Sequence, residues 1–97
     1  MARYVTLYQF TDQGIRNVKD SPVRLKAAIK QAESMGMKIV AAHYTQGPYD
    51  LITVSEVSDE KKATAFALAT AAQGNVRSTT MRAFDPDEFE AIVKMMP

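Results

Sequence analysis

KIVAAHYTQGPYDLITVSEV, residues Lys38 to Val57, is the stretch whose reading decides the fold. Lys38 to Tyr44 is a short strand-like run and Tyr49 to Val57 is a second, both drawn from β-branched, aromatic and aliphatic residues. Thr45-Gln46-Gly47-Pro48 separates them and supplies turn chemistry, so the two runs predict an antiparallel hairpin.

Upstream, Ala2 to Phe10 reads as a strand, with Val5 and Leu7 on one side of the alternation and Tyr4, Thr6, Tyr8 and Phe10 on the other. Thr11 to Asp20 is a polar loop with some structure, in which Ile15 and Val18 are anchors. Ser21 before Pro22 reads as a helix N-cap with proline at the first helical position. Leu25, Ala28, Ile29, Ala32 and Met35 recur at helical spacing before Gly36, which predicts a helix over about 22–35.

Downstream, Ser58 followed by Asp59 and Glu60 predicts a cap and an acidic first turn, and Ala63, Phe66, Ala67 and Thr70 mark a helix that Gly74 ends. Val76 to Phe84 is alternating and β-branched and reads as a fourth strand. Asp85, Pro86 and Glu88 form an N-cap, an N1 proline and an N3 glutamate ahead of Phe89, Ile92, Val93 and Met96 at helical spacing. The order is β-α-β-β-α-β with an extra C-terminal helix, the α+β plait of ferredoxin-like type, as one domain over residues 1–97.

Two main helices cover one face of a four-stranded sheet. Tyr4, Tyr8, His43 and Tyr44 are read as marking the other face as not simply solvated, so sheet-to-sheet pairing into a dimeric α/β barrel is the expected assembly. A thin core in a chain of 97 residues favours the same solution.

Composition removes several function classes. A net charge of +1 provides no general field for nucleic acid or an acidic membrane, and the basic residues around the first helix, Arg16 to Lys30, are interrupted by acidic ones and lack interleaved aromatics. No stretch reaches the roughly 20 apolar residues of a membrane span. With no cysteine there is no disulfide or thiolate chemistry, which suits a cytoplasmic protein. No HxH, HExxH, GxGxxG or Walker-type run occurs, so neither a metal nor a nucleotide cofactor is expected.

The nucleophile search ends at His43, the single histidine, which reads as a hydrogen-bonded strand residue with a ligand or acid-base role as the alternative. The carboxylate clusters at Asp59-Glu60 and Asp85-Asp87-Glu88 sit at helix starts, where the dipole accounts for them. Tyr49 and Asp50 open a strand behind a tight turn. They read either as braces of that turn or as a ligand contact, Asp50 accepting from N–H groups and Tyr49 offering a flat ring with a polar tip.

Three segments then carry a resemblance: Tyr4 to Pro22, GPYDLI from Gly47 to Ile52, and GNVRSTTMRAF from Gly74 to Phe84. In that order they resemble the GYD domain proteins, small bacterial proteins of unknown function, with Gly47, Tyr49 and Asp50 as the namesake residues and Pro48 inserted. The resemblance implies a ferredoxin-like dimeric α/β barrel and draws attention to Thr11, Gln13, Gly14 and Asn17. The run from Gly47 to Thr80 is more distantly similar to the effector-binding domains of Lrp/AsnC regulators, in which small molecules bind beside the sheet. No helix-turn-helix segment precedes the first strand here, so DNA binding does not carry over.

The leading functional expectation is a non-catalytic module that self-associates as a homodimer or higher oligomer and binds a small metabolite through Gln13, Asn17, Tyr49 and Asp50. The rival is an enzyme resembling cofactor-independent monooxygenases, with Tyr8, His43 and Arg82 as its site. A pure scaffold or partner subunit is the third reading.

Overall fold

The computed structural model describes residues 1–97 as β1 (Ala2–Phe10), α1 (Asp12–Arg16), a 3-10 turn (Val18–Asp20), α2 (Ser21–Ser34), β2 (Met37–Tyr44), β3 (Leu51–Val57), α3 (Glu60–Ala72), β4 (Val76–Ala83) and α4 (Pro86–Lys94). The four strands form one antiparallel sheet in the order β2-β3-β1-β4. This is the ferredoxin-like plait. The segment read as a loop holds the short helix α1 and the 3-10 turn, because the Thr11 side chain accepts the Gly14 N–H and starts a helical turn.

Two helix starts differ from the sequence reading. Ser21 is the first helical residue rather than the cap: Asp20 precedes it, and the Ser21 hydroxyl instead meets the Tyr44 hydroxyl at 2.9 Å, joining α2 to the end of β2. At α3 the cap is Asp59, which accepts from the Lys61 and Lys62 N–H groups, while Ser58 Oγ donates to the Gly36 carbonyl. The C-terminal helix is as expected. Asp85 and Glu88 form a reciprocal capping box, with Pro86 in the first turn.

The helix-facing side of the sheet carries hydroxyl groups at its middle and aliphatic residues such as Ile39, Leu51 and Val57 around them. Facing α2 and α3 at the middle of the sheet are Thr6, Thr53 and Ser55, buried to 8%, 4% and 3% exposure. The alternation places Val5, Leu7, Ile52 and Val54 on the opposite face, where no helix of the chain covers them. Tyr4, Tyr8 and Tyr44 lie on the helix side, not on the open side expected for them, and the open face is aliphatic. A bulge at Val40 shifts the β2–β3 register, so that His43 pairs with Ile52 and joins the open face.

Helix α4 stands apart from this two-layer body. Its apolar stripe remains exposed, with Phe89 at 58% and Met96 at 70%.

Candidate functional site

At the end of the sheet where β1 finishes and β3 and β4 begin, α1 is fastened to the α3–β4 connection. The Thr11 N–H donates to the Asn75 carbonyl at 3.1 Å and its hydroxyl to the Gly74 carbonyl at 2.5 Å. Gln13 Nε2 donates to the Gln73 carbonyl at 2.9 Å and to Asn75 Oδ1 at 3.0 Å. Gly14 is buried at this joint, and a Cβ there would stand 1.9 Å from the Asn75 carbonyl oxygen, so the close approach requires glycine.

The four residues expected to contact a ligand lie at this same end of the sheet. The amide of Gln13 is engaged within the joint, and Asp50 bridges the strands: its N–H donates to the Tyr8 carbonyl and its Oδ2 accepts the Phe10 N–H, both at 2.8 Å. Asn17 caps α1 through its backbone, and its carbonyl accepts from Arg24. Tyr49 is half-buried, with its carbonyl accepting from the Thr45 hydroxyl; no hydrogen bond within the chain engages the Tyr49 hydroxyl or the Asn17 side chain.

Tyr8, His43 and Arg82 do not converge. Tyr8 faces the helices, opposite Leu51 and Ser78. His43 is exposed on the other face of edge strand β2. Arg82 pairs with Tyr4, four residues before Tyr8 in β1, and its guanidinium lies over the Phe84 ring at 4.4 Å and donates to the Arg3 and Ala83 carbonyls. No three His, Cys, Asp or Glu side chains gather into a metal-binding group. No helix is long and apolar enough to cross a membrane.

A cleft lies between the sheet and helices α2 and α3, and Tyr8 is the one site residue expected from the sequence that lines it. It comprises two adjoining cavities of about 220 Å³ and 270 Å³ that share Tyr8, Ile39, Thr53, Phe66, Thr70 and Val76 as walls. Its floor carries hydroxyl groups at the centre, among the aliphatic side chains of Met37, Ile39, Leu51, Val57 and Val76. Thr6 Oγ1 meets Thr80 Oγ1 at 3.3 Å and the Tyr4 hydroxyl donates to Glu60 at 3.2 Å, while Ser55 and Ser78 face the cavity. Its roof is apolar, with Leu25, Ala28 and Ile29 from α2 and Ala63, Phe66 and Ala67 from α3. Burial pushes the Tyr8 phenol above its ordinary range, an effect offset in part by the adjacent Thr53 and Thr6 hydroxyls. Desolvation, then the bond to Glu60, raises Tyr4. The signal available in the sequence was Thr and Ser at the inward positions of the two central strands.

An antiparallel plait with a cleft of mixed hydroxylic and apolar lining beneath its helices defines a small α+β domain of ferredoxin-like type. The profile of the GYD domain matches residues 4–93, and the chain belongs to that family. It is 28% identical over 95 residues, 97% of this chain and 100% of the relative, to a Thermus thermophilus protein named glutamine synthetase and cystathionine beta-lyase binding protein. The crystal structure of TTHA0845 from Thermus thermophilus is similar in fold, with a TM-score of 0.53 at 17% identity over 87% of this chain and 94% of that one.

Proposed function

We propose that this GYD domain protein is a non-catalytic binding module that works as a self-paired assembly. The observation that carries the reading is the aliphatic outer face of the sheet. The aliphatic side chains Val5, Leu7, Ile52, Val54 and Met81 lie on the face that no helix of the chain covers, and a second copy applied to that face would bury them. The exposed apolar stripe of α4 adds to the surface available for pairing. A relative named for binding two enzymes supports a role exercised on partners rather than through chemistry, and the separation of Tyr8, His43 and Arg82 weighs against the enzyme reading.

Asn17 and Tyr49, whose side-chain polar groups are not engaged within the chain, with Gln13 and Asp50 holding the surrounding backbone, form the proposed polar contact region at the sheet end for a metabolite or a partner. Native mass spectrometry at micromolar concentration tests the assembly. The wild-type chain is expected as a dimer or higher oligomer, and Val54→Lys as a folded monomer by the same measurement and by circular dichroism. A monomeric wild-type protein, or a Val54→Lys variant that pairs as before, overturns the reading.

A further inference from the structure

We infer that the cleft beneath α2 and α3 is a binding site for a neutral, flat, ring-bearing small molecule that carries a hydroxyl or carbonyl group on one edge. A plait that simply needed a core would fill the middle of its helix-facing side with aliphatic residues, because their burial is favourable outright, whereas a buried hydroxyl loses hydration that its hydrogen bond only offsets. Here the central strands turn Thr6, Thr53 and Ser55 inward, between Leu51 and Val57 at the two ends of β3, and turn Val5, Leu7, Ile52 and Val54 outward. A departure from core patterning of this kind is expected where function requires it. The two cavities together fall within the roughly 300–1,000 Å³ of small-molecule sites.

The lining selects the ligand. A floor with hydroxyl groups at its centre beneath an apolar roof matches a ring whose faces and one edge are apolar and whose other edge makes hydrogen bonds. The ionisable wall residues other than the two tyrosines are Arg24, on α2 in one cavity, and Glu60, at the start of α3 in the other. Glu60 meets the floor at one edge, through Tyr4, and neither residue belongs to the sheet; an ionised group seated over Thr53 at the centre would lose hydration without a counter-charge beside it. The Tyr8 phenol, raised by burial, remains protonated at neutral pH and serves as a donor, while the Tyr4 hydroxyl is engaged by Glu60.

This deepens the binding-module reading but does not require pairing, since one chain builds the whole cleft. The full-length protein is titrated with 2-naphthol and, separately, with its charged analogue 2-naphthoate, followed by probe fluorescence and equilibrium dialysis. The expected result is saturable binding of 2-naphthol at one molecule per chain, with 2-naphthoate at least about tenfold weaker, a difference of about 1.4 kcal/mol. Thr53→Val keeps the shape and removes one hydroxyl; it is expected to weaken 2-naphthol about fivefold or more while leaving Tm unchanged or higher. Ala67→Leu fills the cleft from α3 without altering the sheet and is expected to abolish binding. The inference is overturned by no saturable binding of 2-naphthol, by equal binding of both probes, or by unchanged binding in folded Ala67→Leu. Loss of pairing in Val54→Lys with 2-naphthol binding intact counts against nothing proposed for the cleft, whereas intact pairing without 2-naphthol binding refutes the cleft alone.

Discussion

The Asp50 carboxylate accepts the Phe10 N–H at 2.8 Å while the Asp50 N–H donates to the Tyr8 carbonyl at the same distance, so one residue holds the end of β1 on both sides of Gln9. Replacement by alanine leaves the Phe10 N–H without its charged acceptor and is expected to cost about 1–3 kcal/mol. Asp50→Asn keeps an acceptor oxygen and is expected to cost less than half of that. Urea unfolding of the two variants at constant m checks the order; equal losses would mean that the carboxylate acts through something other than this bond.

Gly14 is the tightest position of the joint. With a Cβ only 1.9 Å from the Asn75 oxygen, Gly14→Ala forces α1 away from the α3–β4 connection, and the expected cost is about 3 kcal/mol, the upper end for overpacking. For a chain of this size that is a fall in Tm of roughly 10 °C or more, read by calorimetry.

The phenol of Tyr8 is raised in the folded protein, so the folded state holds its proton more tightly than the unfolded chain, which releases it near pH about 10. Its contribution to stability is therefore complete below pH about 10 and is lost as pH rises through the higher folded value. Tyr8→Phe is expected to show a shallower decline of stability above pH about 10 and to remove a late-ionising component from the absorbance titration at 295 nm.

Asp85 with Glu88 closes the start of α4, and removing such a cap costs about 1 kcal/mol. Because α4 stands apart from the two-layer body, Asp85→Ala is expected to speed amide exchange over Phe89–Lys94 about fivefold while the amides of β1 and β3 keep their rates. Hydrogen exchange followed by mass spectrometry resolves the two regions.

Local chemistry was legible wherever neighbours in sequence decide it. The Lys38–Val57 hairpin, the Asp85-Pro86-Asp87-Glu88 start and the glycine after α2 all act within a turn or two, and the elements lie where those residues put them. Caps were less legible. Ser21 and Ser58 are good caps by type, yet each hydroxyl bonds a distant partner, Tyr44 and the Gly36 carbonyl, which sequence spacing does not reveal. The hydroxyl lining of the cleft was hidden for a related reason: Thr53 and Ser55 read as ordinary strand residues until the side facing the helices is known.

By itself the sequence determined the order of strands and helices, and hence the plait, because hydrophobic period, caps and turn residues are local signals that all agree. Tertiary structure alone decided which face each residue serves. A side-chain period of two means that a single extra residue exchanges the faces, and the bulge at Val40 does this within β2, placing His43 on the open face although simple alternation from Ile39 would have brought it under the helices with Tyr8.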